Sequence, residues 1–327
     1  MLRAAAVQMA GRLADIPFNL DHVFALARDA VDAGARAVAL PEFFTTPIVY
    51  DERLYECVLP PDNPAVERLR DMAVAHGVLI GGSYLELRDG DVYNTYVLAE
   101  PSGALHRHDK DLPTMVENAF YVGGADAGLI QTEKTSIGVA MCWETIRSQT
   151  VARLAGEVEL LMTGSHWWSE PGWPFPRALF AWADRRNAAL MHAAPGAFAR
   201  LVGAPSLHAA HCGVVQGGYL LTPGGRRTGT RTRLMGEAQI VAADGRVLAR
   251  RRADEGPGIV MADIEVHRRG APNGSPGGFW IPRLPALFKL MWWHQNMCGA
   301  AAYKRAKADG RIKPYDFTKD RDLCKTC

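Results

Sequence analysis

The sequence predicts an α/β fold with helices packed outside two sheets. Short apolar runs of strand length alternate with amphipathic stretches of helical period, and this rhythm occurs in both halves of the chain. The composition is that of a globular protein, with 48% apolar and 22% charged residues, which excludes disordered and fibrous classes. The 327 residues leave room for two domains. No repeat of fixed period and no low-complexity linker divides them. One domain over residues 1–272 is therefore expected, with a C-terminal tail over 273–327.

The elements follow in order. Residues 4–9 read as a buried strand. Residues 21–33 read as an amphipathic helix with Val23, Leu26, Ala27, Ala30 and Val31 on one face, Asp21 as N-cap and Gly34 as stop. Residues 37–40 form an apolar strand that runs straight into Pro41-Glu42, and a helix over 65–76 stops at Gly77. Strands over 78–87 and 92–99 are joined by a turn at Asp89-Gly90-Asp91. In the second half a strand over 137–141 ends at Cys142, a short helix spans 150–156, and a strand covers 159–163. A helix is expected over 175–187 and a strand over 188–194. A hairpin over 238–243 and 247–250 turns at Asp244-Gly245, and a last strand covers 259–264.

Charge and cysteine usage narrow the function. Lys plus Arg total 37 against 35 Asp plus Glu, so nothing marks nucleic acid as a partner. Six cysteines are too sparse for a disulfide scaffold. The start MLRAAAVQMAGRLADIPFNL lacks a secretory pattern. The most apolar stretch, residues 279–303, is interrupted by Arg283, Lys289 and His294, so no transmembrane segment is expected. The expectation is a cytoplasmic protein with reduced thiols.

Three residues sit where chemistry would sit. Glu42 directly follows an apolar strand, and a carboxylate there faces a site crevice in many open sheets. Apolar neighbours raise such a pKa, as a general base requires. Cys142 likewise ends a strand, before Trp143-Glu144, where backbone N–H groups can serve an oxyanion. Lys110 lies among acidic and basic neighbours. Taken singly, each residue has an ordinary structural explanation: a strand-end glutamate, a small core thiol, a solvated lysine. Taken together, a carboxylate, an ammonium and a thiol are the parts of acyl transfer.

At these residues the chain resembles the nitrilase, or carbon–nitrogen hydrolase, superfamily. The matching segments are Leu40-Pro41-Glu42-Phe43-Phe44, then Lys110 through Pro113-Thr114 to Glu117, then Met141-Cys142-Trp143-Glu144. The resemblance covers about residues 2–266, and Gly236 to Val241 with Asp244-Gly245 looks like the family's late hairpin. It implies Glu42 as general base, Cys142 as nucleophile, Lys110 as stabiliser of the tetrahedral intermediate, and Glu117 as the glutamate that helps position the site. It also implies a four-layer αββα sandwich, pairing of two subunits sheet to sheet into a homodimer or higher homo-oligomer, and no metal or organic cofactor. The expected substrate is a small nitrile or amide. Cys142-Trp143-Glu144 and Pro113-Thr114 resemble the nitrilase branch more than the amidase and carbamoylase branches. The chain departs from the family at Arg186-Asn187, where Glu-Asn is usual, and at Ala194-Pro195, where Ala-Asn is usual.

Other features carry less. Ser165-His166-Trp167-Trp168 follows a strand, and the resemblance places this loop at the substrate pocket. Trp143, His166, Trp167 and Tyr50 are therefore the expected substrate-binding residues. Packing at a subunit contact is the alternative for the two indoles. His192, His208 and His211 invite a Cys–His reading, which leaves Glu42 and Lys110 without a role. Cys324 and Cys327 form one CxxC, where a zinc site needs two more ligands. The tail's Trp280, Leu284, Phe288, Trp292 and Trp293 suit a subunit contact better than a membrane surface. Two readings of another class compete with hydrolysis: a silent ligand-binding protein, and an acyltransferase on the same thioester.

Overall fold

Burial on both faces explains the near-continuous apolar strands. The computed structural model describes residues 1–169, 177–267, 270 and 276–320. Among the described residues the strands are β1 (Leu2–Met9), β2 (Ala37–Ala39), β3 (Leu79–Arg88), β4 (Asp91–Ala99), β5 (Leu105–Asp109), β6 (Leu129–Gln131) and β7 (Ser136–Met141). They continue with β8 (Leu160–Ser165), β9 (Ser206–Leu220), β10 (Arg227–Met235), β11 (Ala238–Val241), β12 (Val247–Arg251) and β13 (Gly258–Ile264). The helices are α1 (Ile16–Asp32), α2 (Pro64–His76), α3 (Ser148–Leu154), α4 (Arg177–Val202) and α5 (Ala286–Ala308).

The strands divide into two halves. One runs β5-β4-β3-β2-β1 with β13 beyond β1, and the other runs β6-β7-β8-β9-β11-β12. They join where Gln8 and Met9 of β1 pair with Ala210 and His211 of β9. Strand alternation then assigns every side chain to a layer. Ala4, Ala6, Ala37 and Ala39 of the first half meet Val139, Met141, Leu160, Met162 and Leu207 of the second in one core. The opposite faces of the same strands carry the helices. Ala5, Val7 and Met9 pack on α1 and α2, while Ala140 and Leu161 pack on α3 and α4. The result is the expected αββα sandwich.

Local chemistry sets the helix ends, and it corrects two expectations. α1 starts five residues before the expected N-cap Asp21, because Asp15 accepts from Phe18 N at 3.2 Å and Pro17 suits the first turn. Asp21 lies on the exposed side, paired with Arg68. The strand expected over 188–194 is helix: α4 runs on through Pro195 to Val202. Its Ala, Leu and Met residues are strong helix formers, and Pro195 lies inside the helix without ending it. The strand that follows is β9 instead, and its interior polar residues hid it. His208 there bonds Thr163 Oγ1 at 2.8 Å and Ser165 Oγ at 3.1 Å.

The tail helix packs on its own chain. Phe288 joins the cluster around Cys142, and Cys298, Ala302, Tyr303 and Ala306 join the core of the first half. Gly299 permits the contact, since a Cβ there would lie 2.9 Å from Ala119 N. On the outer side Leu290 and Trp293 are 60% and 59% exposed. No helix of the described residues is long and apolar enough to cross a membrane. Cys324, Cys327 and the expected boundary at Asn273 lie outside the described residues.

The site forms where β2, β5, β7 and β8 end, at one edge of the sandwich. β8 reaches across to the end of β2 there: a Cβ on Gly164 would lie 2.7 Å from Glu42 N and 3.1 Å from Leu40 O. Backbone cannot yield as a side chain can. Gly164→Ala is therefore expected to cost about 1–3 kcal/mol of stability, read by denaturant unfolding, with a loss of turnover from the displaced Glu42. Unchanged stability would show that the two strand ends are not in close contact.

Candidate active site

Three of the four candidate catalytic side chains stand one to three residues past a strand end. Glu42 follows β2, Lys110 follows β5 and Cys142 follows β7. Glu117 sits on the single turn Met115–Ala119. Three non-glycine residues here adopt left-handed backbone: Phe43 at φ 56°, Met115 at 53° and Cys142 at 50°. Such strain collects where the surroundings fix a side chain against its backbone preference.

The four side chains converge in the interior. Glu42, Lys110 and Glu117 have no exposed surface, and Cys142 has 1%. Lys110 Nζ donates to Glu42 Oε1 at 2.8 Å and to Glu117 Oε2 at 2.7 Å. Glu42, Glu117 and Cys142 bring ligand-type atoms within 4.8 Å of one another. This set could hold a metal, but it already encloses a cation, the Lys110 ammonium. Glu42 is held further by Asn94 Nδ2 at 2.9 Å on Oε1 and by His166 N at 3.0 Å on Oε2. Glu117 Oε2 also accepts from Thr114 N at 2.8 Å and from the Tyr121 hydroxyl.

Burial sets the proton positions. It pushes Glu42 up to about 7, with the Lys110 charge pulling down and Glu117 pushing up. Burial alone would lower Lys110, but the charges of Glu117 and Glu42 outweigh it and hold the ammonium above its ordinary pKa. Burial raises the Cys142 thiol well above its ordinary value, Glu42 adds to the rise, and Lys110 opposes it. The resting cysteine is therefore a thiol beside an available carboxylate.

A second buried network locks the loops together. Glu144 accepts from Met141 N at 2.8 Å and from Asp111 N at 3.0 Å, tying the Cys142 elbow to the chain just after Lys110. His108 bridges Glu144 and Asp126. Burial lowers the His108 pKa, but Glu144 and Asp126 overcome it and raise it to about 10, so the ring is a cation. Arg147, fully buried, pairs with Asp111 and donates to Leu112 O at 3.2 Å. The sequence contained Glu144 in a quoted motif without a role. Asn94, His108, Tyr121 and Arg147 gave no sequence signal, because their partners come from distant strands.

The expected pocket residues separate. Trp143 and Trp167 line a mainly apolar cleft, with Trp168, Met115, Met291 and Gln295. Trp167 Nε1 donates to Asn187 Oδ1 at 2.7 Å, and Asn187 Nδ2 donates to the Trp168 backbone carbonyl at 2.7 Å, so one α4 side chain orients the Trp167 indole and ties down the backbone beside it, while the Trp168 indole donates to Ile48 O at 3.1 Å. Cys142 packs in the same cluster as Trp143, Trp167 and Met115. His166 points away from this cleft: its Nε2 accepts from Ile48 N at 3.1 Å, and its backbone serves Glu42. Tyr50 lines a different depression, with Arg227 over its ring. The histidines of the Cys–His reading are otherwise engaged. His211 donates to Glu42 O at 2.8 Å, and burial pushes His208 and His211 down to about 4. His192 pairs with Glu237 near the surface.

Comparison with known proteins identifies the family. The chain is 26% identical over 286 residues to an aliphatic nitrilase of Rhodococcus rhodochrous, covering 81% of this chain and 75% of that one. It is 25% identical over 348 residues to a cyanide hydratase of Botryotinia fuckeliana, covering 98% and 89%. An omega-amidase of Xenopus tropicalis is 32% identical over 148 residues, covering 42% and 52%. Among solved structures, an amidase from Nesterenkonia sp. AN1 with acrylamide added at its active-site cysteine shares the fold at a TM-score of 0.59 and 19% identity, covering 82% of this chain and 94% of that one. The Carbon-nitrogen hydrolase family profile matches residues 3–271. The chain belongs to the carbon–nitrogen hydrolase family.

Proposed function

We propose that this enzyme hydrolyses a small nitrile, with Glu42, Lys110, Glu117 and Cys142 as its catalytic residues. The observation that carries the reading is the buried convergence of the four side chains. Glu42 takes the thiol proton as the sulfur adds to the nitrile carbon, giving a thioimidate. One water adds, ammonia leaves and a thioester remains. A second water, activated by Glu42, releases the carboxylic acid and restores the thiol. An ammonium has three N–H donors, and two are bound to Glu42 and Glu117. The third is available to the charge that develops on the substrate. Glu117 holds the ammonium in place and keeps it charged.

The nitrilase and cyanide hydratase similarities over most of the chain support a nitrile, as does the Trp-walled cleft. The omega-amidase similarity favours a second reading, a primary amide that reaches the same thioester by losing ammonia in one step. We place the enzyme in the cytoplasm and assign it no cofactor. We also read it as a homo-oligomer, supported by the exposed Leu290 and Trp293.

Four measurements test this reading. Cys142→Ala is expected to abolish turnover with the fold intact, and kcat/KM is expected to be higher for an aryl nitrile than for the matching amide. Turnover of amides alone would move the enzyme to the second reading, and wild-type turnover by Cys142→Ala would overturn the nucleophile. The base form of Glu42 is the active one, so kcat/KM is expected to fall by one proton on the acid side of about pH 7. A profile flat down to about pH 5 would remove Glu42 from this role. Lys110→Met strands two buried carboxylates and is expected to cost about 3–5 kcal/mol of stability near neutral pH. Those carboxylates would then bind protons more readily folded than unfolded. The deficit should shrink as pH falls toward about 5.5, read by urea unfolding at several pH values.

A further inference from the structure

The cleft beside Cys142 is lined mainly by apolar side chains, and two of its lining residues, Gln295 and Thr230, carry a buried polar atom without a partner. Gln295 of α5 is 1% exposed. Its Nε2 donates to Leu220 O at 2.7 Å, which fixes the orientation of the amide. Its Oε1 is buried and accepts from nothing. Thr230 Oγ1, on β10, is also buried and unpartnered, and it lines the same cleft. A buried acceptor without a donor is a costly arrangement that folded proteins avoid. A ligand that fills the cleft and carries a donor removes the cost.

We propose that the substrate's body is apolar and aromatic and ends in a neutral hydrogen-bond donor, a hydroxyl or amino group, read by Gln295. This rests on the proposed reaction at Cys142 and specifies the substrate class for it. None of the four reacting side chains lines the cleft, so the cleft holds the part of the substrate beyond the reacting carbon. The walls of Trp143, Trp167 and Trp168 suit an aromatic ring. A carbonyl oxygen accepts only, so its complement is an N–H or O–H. A hydroxyl also accepts, which suits Thr230. Among the described residues no lysine, arginine or carboxylate lines the cleft, so a charged substituent is disfavoured. Gln295 therefore acts on specificity: a site built around a hydrogen bond rejects an analogue that cannot make it.

The test compares para-hydroxyphenyl- and para-methoxyphenyl-acetonitrile, and the two matching acetamides. The methoxy compounds keep the ring and lose the donor. Wild-type kcat/KM is expected to favour hydroxy over methoxy by about tenfold or more. Gln295→Leu should bring that ratio to within about twofold, and Thr230→Val should lower it by less. Equal wild-type rates, or an undiminished ratio in Gln295→Leu, would overturn the proposal. The wild-type comparison stands even if Gln295→Leu fails to fold. Binding of the same four compounds to Cys142→Ala, read by quenching of the cleft tryptophans, separates this inference from the reaction. Tighter binding of the hydroxy compounds without wild-type turnover supports the cleft and sinks the reaction. Turnover without preference does the reverse. Absence of binding by all four overturns the inference.

Discussion

The Lys110 ammonium between two carboxylates is the interaction on which the rest of the site depends. Neither Glu42 nor Glu117 has solvent to support a charge, and both hydrogen-bond the same nitrogen. A buried pair of this kind is weak evidence for stability, because desolvation offsets the attraction. Its value here is chemical. The site stores a proton acceptor of near-neutral pKa beside a protonated thiol and a fixed positive charge. In water neither the thiol nor the carboxylate would be so matched.

The two-halved sandwich makes this arrangement affordable in geometry. Glu42 and Lys110 come from one half, and Cys142 comes from the other. Their strand ends meet where Gly164 lies against Leu40 and Glu42. Small alanines on the inner face of β1 and β2 let the halves approach. Glu144 then fixes the relative position of the two loops by accepting from a backbone N–H on each. The ordinary packing of the core thus sets distances that the chemistry needs.

Much of this was legible in the sequence because it is local. Strand-then-charge patterns exposed Glu42 and Cys142, and the motif set added Lys110 and Glu117. What stayed hidden depends on contacts far apart in the chain. β9 carries His208 and His211 inside the protein, and a strand with buried polar residues does not show simple alternation. Their partners, Thr163, Ser165 and the Glu42 carbonyl, appear only in three dimensions. α4 was misread over residues 188–194, where an apolar run of strand length continues the helix. The departure at Arg186-Asn187 was also informative in a way the sequence did not disclose. Asn187 holds the Trp167 indole and the Trp168 backbone carbonyl, while Arg186 lies over Trp182.

The docking of α5 has a consequence for the order in which the site is completed. All four proposed catalytic residues lie within the first 142 positions, but Met291 and Gln295 line the cleft from the far end of the sequence. The same helix holds the Glu117 turn, through Asn296 Oδ1, which accepts from Met115 N at 3.1 Å. A chain emerging from the ribosome therefore carries its reactive thiol through most of synthesis without its last wall. Over evolutionary time the separation works in the other direction. Changes in α5 can retune which molecules enter while leaving the strand ends, and the charges they carry, untouched.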